Sequence, residues 1–312
     1  MFAKFRNNTN KVSMKELITQ LYDVLSGKKK EIEVDCNELL IQALVDVTLE
    51  HPEKPEDVQI KVKKKKLYKD VILVSGGQDS TITYNLLLDI NLGDSSRFKS
   101  IYVDLGQEYV EQEKKALDKL GIKYEVIKYD ISKLPKWKHI LPARNLILLS
   151  IAEQFVDDGG KIHFGVVDGE SENDKGDKSE LFFKLFEEYI ARTKQKYITI
   201  ETMKGKTKND WLKEYIDFAK DESILDTITC FAGGEKHCGK CQACVRKWIA
   251  MRYCELPTND MFEINPYEGG KEYIDKYKRV MTLALENKNF THYSKKRCEQ
   301  DLKVIQDYET NL

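Results

Sequence analysis

The segment Val71–Thr81, with the sequence VILVSGGQDST, carries the residues best suited to hold a phosphate group. Gly76 and Gly77 lack a Cβ atom, so the backbone after Ser75 can approach an anion closely. Free amides at the start of a following helix, together with the helix dipole, would bind that anion. The loop matches neither G-x-x-x-x-G-K-[ST] nor G-x-G-x-x-G, which argues against an ordinary P-loop NTPase and a dinucleotide-binding protein. It therefore predicts a phosphate loop of another type, with a ligand-free strand-turn-helix corner as the alternative.

A second group of reactive side chains is the cysteine set Cys230, Cys238, Cys241 and Cys244. Two C-x-x-C motifs share Cys241, and the fourth cysteine, Cys230, precedes them by a short loop. This spacing predicts a structural zinc site, because four protein ligands leave no open position for a substrate. Disulfides are the alternative, and the absence of a signal-peptide pattern in MFAKFRNNTNK disfavours them. His237 is interpreted as a loop residue, and Cys36, Cys254 and Cys298 as reduced cysteines.

Composition limits the classes of protein to which the chain can belong. It has 312 residues, of which 41% are hydrophobic and 33% charged, with a formal net charge of -1. No apolar run approaches the roughly 20 residues of a membrane helix, so we expect a soluble cytoplasmic protein. The charge balance provides no general attraction to nucleic acid or to anionic membranes. The lysine run at 61–66 is interpreted as a solvated linker or edge, with a nucleic-acid patch as the alternative.

The elements that must position these residues alternate between strand and helix. Asp79 and Ser80 are candidate caps for a helix that runs to about Ile90. The apolar periodicities predict the following series: strand 71–74, helix to 90, strand 100–104, helix 110–120, strand 124–129, helix 144–155 and strand 161–167. Such alternation predicts a doubly wound parallel sheet, in which ligands bind at the carboxyl ends of the strands.

Polar residues follow two of these strands at the same edge of the sheet. Asp104, Gln107 and Glu108 come after one strand and would either contact the nucleotide or cap the next helix. The acidic stretch 168–174 follows another strand and would either hold magnesium through carboxylates or be a solvated loop.

The N-terminal piece, residues 1–67, precedes the phosphate loop and has no assigned role. Its pattern predicts helices at 12–25 and 36–49, with Asp35 as the cap of the second helix.

The loop S-G-G-x-D-S resembles the signature of the PP-loop ATP pyrophosphatases. The chain further resembles the 7-cyano-7-deazaguanine synthase family over about residues 69–250. Three later segments carry this closer resemblance: PARNL at 142–146, G-V-x-D at 165–168, and the cysteine-rich stretch from Thr229 to Lys247. Other PP-loop enzymes, such as NAD synthetases, share the loop but not the late four-cysteine segment.

The resemblance implies an ATP-dependent carbon-nitrogen ligase of queuosine biosynthesis. Such an enzyme converts 7-carboxy-7-deazaguanine and ammonia to the 7-cyano product through adenylated acid and amide intermediates. ATP is a substrate, magnesium and a structural zinc are the expected metals, and the protein is expected to be a homodimer. The implied domains are an N-terminal extension (1–67), a PP-loop α/β domain (68–229), a zinc unit (230–258) and a helical tail (259–312).

Family motifs also assign expected roles to individual residues. Asp79, Arg144 and Lys208 are the expected catalytic residues. The alternative for Lys208 is a solvated residue at the start of a helix. The ATP loop comprises Ser75, Gly76, Gly77, Gln78, Asp79, Ser80 and Thr81. Substrate binding is expected from Arg144, Asn145, Asp168 and Glu170, and metal binding from Cys230, Cys238, Cys241 and Cys244.

The chain departs from the family pattern in the loop 170–177, where no aromatic residue stands, and in its two terminal extensions. Ala143 also replaces the glycine of a P-G-R-N element. These departures leave two alternative functions open. One is a variant that stops at the amide or transfers the activated acid to another amine, on a protein or nucleic acid. The other is a zinc-stabilised module that senses ATP or AMP without chemistry.

Overall fold

The computed structural model describes residues 31–36, 59–64, 66–133, 143–168, 176–219, 222–232, 234–290 and 293–312. The chain divides into two compact units, Met1–Leu67 and Tyr68–Leu312. In the first unit, strands β1 (Glu31–Cys36) and β2 (Gln59–Lys64) pair in parallel. Asp35 and Cys36 therefore belong to a strand and do not begin a helix, so that prediction was wrong at this point. The predicted helix 12–25 and the remainder of 36–49 lie outside the described residues.

The second unit is built on five parallel strands in the order β5-β4-β3-β6-β7. The strands are β3 (Tyr68–Leu73), β4 (Lys99–Asp104), β5 (Glu125–Lys128), β6 (Val156–Val167) and β7 (Ile198–Met203). The first strand of this unit, β3, lies at the centre, and the chain runs outward to each side in turn. Ligands in such sheets bind where the strand order reverses, which here is between the carboxyl ends of β3 and β6.

Helices cover both faces of this sheet. They are α1 (Gln78–Ile90), α2 (Val110–Lys119), α3 (Arg144–Glu153), α4 (Glu180–Lys194) and α5 (Lys208–Ala219). Val71 and Leu73 pack into a core that includes Leu149 of α3, whereas Ile72 packs on the opposite face with Leu87 of α1. A strand covered on both faces must be apolar at every position, which explains the uninterrupted run after Asp70. The predicted doubly wound parallel sheet is confirmed.

The C-terminal region is helical, as predicted. It contains α6 (Gln242–Tyr253), the short α7 (Pro266–Gly269), α8 (Lys271–Asn287) and α9 (Lys295–Thr310), preceded by a 3-10 turn at Glu222–Asp226. Trp248 of α6, Met281 of α8 and Ile305 of α9 share one hydrophobic core with the buried cysteines Cys230 and Cys244. The segment around the cysteines and the C-terminal tail therefore fold against each other. The boundaries proposed at 229 and 258 remain a prediction.

Most predicted elements lie within a few residues of their observed limits, and the differences have local causes. Strand β6 begins at Val156 rather than at 161, because the backbone of Asp157 to Gly160 continues the strand despite its polar and glycine residues. Strand β7 and helices α4 and α5 were not assigned from the sequence. Among the described helices, no helix combines the length and apolar composition needed to cross a membrane.

Candidate functional site: phosphate loop and cysteine cluster

The loop after β3 is held in a tight turn that only small residues can form. Gly76 has φ +67°, and a Cβ atom there would lie 2.8 Å from the carbonyl oxygen of Glu113. Gly77 is the N-cap of α1, and its carbonyl accepts a hydrogen bond from the Thr81 amide at 3.0 Å. The predicted caps Asp79 and Ser80 were therefore wrong, because both lie inside the first turn of α1. Glycine at the cap has no side chain to cover the first free amides, so those amides remain available to a ligand.

Ser80 stabilises the loop from within. Its hydroxyl donates to the Gly77 carbonyl at 3.0 Å and accepts from the Ser75 amide at 3.2 Å. From the neighbouring strand, Gly165 of β6 allows α1 to approach, because a Cβ at this position would lie 3.0 Å from the Ser80 nitrogen. The turn is thus fixed both by its own hydrogen bonds and by its contact with the sheet.

Several buried polar atoms around the loop have no hydrogen-bond partner. They include both amide atoms of Gln78, Oδ1 of Asp79 and Oγ1 of Thr81. The neighbouring Thr229 hydroxyl is also unpartnered, next to Ile228, whose amide donates to the Gly76 carbonyl at 2.8 Å. A buried polar group without a partner costs on the order of 1–3 kcal/mol. Such a concentration at one loop is typical of a site that a ligand completes.

Asp79 and Lys208 meet at this loop although they are distant in the chain. Lys208 Nζ lies 2.9 Å from Asp79 Oδ2, and both side chains are largely buried. Lys208 is the first residue of α5, so the structure brings it from a different element to the phosphate loop. Only one oxygen of Asp79 is used by this pair, because Oδ1 is the unpartnered atom described above.

Arg144 lies at the start of α3 and acts electrostatically on Tyr109, the N-cap of α2, and on Glu113 within α2. Its guanidinium interacts with the Tyr109 hydroxyl, although burial dominates there and raises the pKa of Tyr109. Burial likewise raises the pKa of Glu113 to about 7, against the opposing effects of a hydrogen bond from Tyr102 and the charge of Arg144. The Glu113 carbonyl contacts Gly76, so this group of side chains borders the loop. Tyr109 also packs against Phe231, with ring centroids 5.8 Å apart.

One polar side-chain atom of Asn145 is hydrogen-bonded and the other is not. Its Nδ2 donates to the Asp177 carbonyl at 3.2 Å, and its Oδ1 is buried without a partner. Asp168 directly follows β6, and its amide donates to the Lys206 carbonyl at 3.3 Å. Glu170 lies outside the described residues, so its predicted place in the site stays a prediction.

The polar residues after β4 form local turns. Asp104 Oδ1 accepts from the Gly106 amide at 3.0 Å, and Gln107 Oε1 accepts from the Leu105 amide at 2.9 Å. Lys114 lies 3.3 Å from Asp104 Oδ2. The expected capping of the next helix is not observed, because the N-cap of Val110–Lys119 is Tyr109 and no side chain caps it. The side-chain oxygens of Asp104 and Gln107 bind amides of the turn after β4 instead.

The four predicted metal ligands converge. The sulfur atoms of Cys230, Cys238, Cys241 and Cys244 all lie within 4.8 Å of one another. Backbone amides of Ala232 and Cys238 donate to the Cys230 sulfur at 3.4 and 3.3 Å, which favours a thiolate. All four are free cysteines, so the disulfide alternative is not observed among the described residues.

His237 is outside this cluster, in agreement with its interpretation as a loop residue. Its Nε2 lies 3.2 Å from the Thr227 carbonyl, and burial lowers its pKa to about 4. Lys247 reaches the same carbonyl and also lies 2.9 Å from the Thr227 hydroxyl. Lys247 is completely buried, and burial together with the charge of Lys208 lowers its pKa to about 7. No sequence pattern indicated this buried lysine, because its surroundings come from distant segments.

A family model and several known proteins that are similar in sequence to this chain have names that agree with one another. Residues 135–254 match the family model of the queuosine biosynthesis protein QueC. The chain is 27% identical over 217 residues to the 7-cyano-7-deazaguanine synthase 1 of Desulfitobacterium hafniense, covering 60% of this chain and 93% of that protein. It is 24% identical over 245 residues to the 7-cyano-7-deazaguanine synthase of Thermoplasma acidophilum, covering 68% and 98%.

Among solved structures, the chain is similar to the U34-tRNA thiolase NcsA from Methanococcus maripaludis with its 4Fe-4S cluster. The two are 14% identical, with a TM-score of 0.31, over 79% of this chain and 72% of that chain. A similarity at this level supports no conclusion about the site.

Proposed function

Because this chain is a QueC-like protein, as its sequence motifs predict, we propose that it converts 7-carboxy-7-deazaguanine and ammonia to 7-cyano-7-deazaguanine with ATP. The observation that carries the proposal is the Asp79–Lys208 pair beside the unpartnered atoms of Gln78 and Asp79. This arrangement offers a cation, a carboxylate and free helix amides at one turn, which suits a polyphosphate.

In the proposed first stage, the substrate carboxylate attacks the α-phosphorus of ATP and pyrophosphate leaves. Ammonia then attacks the acyl carbon, loses a proton, and displaces AMP to form the amide. In the second stage, the amide oxygen attacks the α-phosphorus of a second ATP and pyrophosphate leaves. Loss of AMP and of both protons from nitrogen then leaves the nitrile. Both carboxylate oxygens thus depart on AMP, so the protein's tasks are to position the reactants and stabilise charge.

The proposed roles of the side chains follow from their positions. The amides of Gly77 to Ser80 would bind pyrophosphate, and Lys208 would offset the charge that develops on it. Arg144 would bind phosphate or the substrate carboxylate, and Asn145 would contribute its free Oδ1. Magnesium would bind the phosphates together with carboxylates of the loop that begins at Asp168.

The cysteine cluster fits one structural zinc ion. Sulfurs bound to zinc at about 2.3 Å in tetrahedral geometry lie ~3.8 Å apart, and the Cys238–Cys244 separation is 3.8 Å. A four-iron cluster also accepts four thiolates but spreads them over the corners of a larger body, which suits this tight group less well. Burial lowers the pKa of Lys247 to about 7, and the charge of Cys244 opposes this shift, so thiolates in the cluster would favour the protonated form of this lysine.

The direct test is to incubate the protein with ATP, magnesium, ammonium and 7-carboxy-7-deazaguanine, and to identify the products by mass spectrometry. We expect the nitrile together with AMP and pyrophosphate. The amide with AMP would instead show a variant that stops early, since amide and nitrile differ by one water. ATP binding without AMP formation would contradict the proposal and favour a sensing role.

A matched pair of variants tests the site assignment. Lys208→Ala removes the cation at the loop and should lower kcat by about 100-fold, the usual effect of losing one group that stabilises developing charge. Lys213→Ala removes an exposed lysine of the same helix, whose nearest carboxylate is Asp217 at 3.8 Å, and should leave kcat unchanged. Equal kcat values in the two variants would remove Lys208 from the mechanism.

The homodimer and the cytoplasmic location implied by the family resemblance remain predictions. Sedimentation of the purified protein tests the first.

A further inference from the structure

The first turn of α5 is held by a buried polar network that comes from the last helix of the chain. Thr207 caps α5, because its hydroxyl accepts from the Asp210 amide at 3.2 Å while Asp210 Oδ2 accepts from the Thr207 amide at 3.1 Å. Gln300 of α9 bridges the two partners of this reciprocal cap. Its Oε1 accepts from the Thr207 hydroxyl at 2.6 Å, and its Nε2 donates to Asp210 Oδ1 at 2.8 Å.

A second set of polar contacts connects the same two helices. Asn209 Nδ2 donates to Asp301 Oδ1 at 2.8 Å, and Arg297 lies 3.5 Å from the other oxygen of Asp301. Asn209, Asp301 and Arg297 are all buried. Lys296 adds a contact of 2.7 Å to Asp210 at the surface.

These contacts surround one residue that does not take part in them. Thr207, Asn209 and Asp210 all contact α9, whereas Lys208 between them lies 2.9 Å from Asp79 at the phosphate loop. An apolar interface would stabilise the packing of α5 against α9 at least as well, because burying polar groups carries a desolvation cost. Directional hydrogen bonds, in contrast, fix the rotation of a helix end about the helix axis and its position along that axis.

We infer that α9 positions Lys208 for the phosphate loop, with Gln300 as the central positioning residue. The inference rests on the proposed role of Lys208 in binding ATP. It assigns the C-terminal tail a task at the site although none of its described residues is proposed to contact a substrate. Gln300 suits this task because its oxygen and both of its amide hydrogens are used, the last in a bond of 3.0 Å to Tyr253.

The test uses Gln300→Leu, which keeps the approximate volume and removes the bridge. Lys208 should then become more reactive toward an acetylating N-hydroxysuccinimide ester, by about threefold relative to Lys213 in the same protein, as measured by peptide mass spectrometry. The affinity for magnesium-ATP, measured by calorimetry without acceptor, should fall by about fivefold. In the Lys208→Ala background, Gln300→Leu should have no further effect on that affinity, because residues that act through one group are not additive.

Two sets of controls separate positioning from general stability. Glu309→Gln removes the ion pair of α9 with Lys278 at 2.7 Å, away from α5, and should change neither reactivity nor affinity. Thr207→Val should reproduce the effects of Gln300→Leu, and Thr207→Ser, which retains the hydroxyl, should restore wild-type values.

The outcomes separate this inference from the proposed function. Unchanged Lys208 reactivity in both Gln300→Leu and Thr207→Val would overturn the inference, whether or not the protein makes the nitrile. Additive losses of ATP affinity in the double variant would overturn it as well. Absence of ATP binding by the wild-type protein would refute the proposed function alone, because the acetylation measurement still decides where Lys208 lies.

Discussion

Ala143 is held in a backbone conformation that favours glycine, and replacing this alanine with glycine should stabilise the protein. It is the N-cap of α3 with φ 55° and ψ 23°, in the left-handed region. An L-residue pays about 1–2 kcal/mol for this conformation because its Cβ crowds the following carbonyl. Ala143 is exposed and its side chain makes no capping hydrogen bond, so Ala143→Gly loses no packing.

The expected gain follows from two opposing contributions. Glycine relieves the steric cost but loses about 0.5–1 kcal/mol more conformational entropy on folding than alanine does. The net effect is a stabilisation of about 0.5–1 kcal/mol, or a rise in Tm of roughly 1–4 °C for a unit of this size. Thermal unfolding followed by far-UV circular dichroism measures this shift.

The matched control is Ala191→Gly, within the right-handed helix α4. The same chemical change should there destabilise the protein by about 1 kcal/mol, because glycine is a poor residue for a helix interior. A lower or unchanged Tm for Ala143→Gly would refute the reasoning, since it would mean that the left-handed conformation at this cap costs alanine no more than the conformational entropy that glycine loses on folding.

Three further predictions concern the metal, the titration of a buried acid and the approach of α1 to the sheet. Cys238→Ser should reduce the bound zinc measured by plasma mass spectrometry and lower Tm, whereas Cys298→Ser, a buried cysteine outside the cluster, should retain full metal content. Burial raises the pKa of Glu113 from its ordinary value of 4.5 to about 7, so the native state binds more protons than the unfolded chain between these values. The free energy of unfolding should therefore fall as pH rises from about 4.5 to about 7. Glu113→Gln should make this pH dependence weaker in denaturant titrations, and an unchanged dependence in the variant would mean that other groups cause it. Gly165→Ala would place a Cβ 3.0 Å from the Ser80 nitrogen and should weaken ATP binding in calorimetry, whereas Gly176→Ala, with its nearest atom at 3.9 Å, should not.

Local sequence determined the phosphate loop and the sheet that presents it. An uninterrupted apolar run, two glycines and an amphipathic helix are neighbours in the chain, so their preferences are expressed without help from distant residues. The cysteine cluster was equally predictable, because its ligands lie within a short segment whose spacing alone permits convergence. The cap of α1 was misassigned, because Asp79 and Ser80 resemble caps in sequence while the glycine before them takes that position.

Only the tertiary structure decided which distant residues meet at the loop. Asp79 and Lys208 are separated by 129 positions, and Thr207 and Gln300 by 93, so no local periodicity relates them. The family resemblance named Lys208 beside Asp79, but nothing in the sequence indicated the contact between Thr207 and Gln300. Their contacts depend on how α5 and α9 each pack within the folded unit, which is not set by any local preference of the chain. The sequence by itself thus determined the loop, the parallel sheet and the metal ligands. The fold decided how Lys208 reaches the loop and which helix contacts the residues on either side of it, because those positions result from packing between segments far apart in the chain.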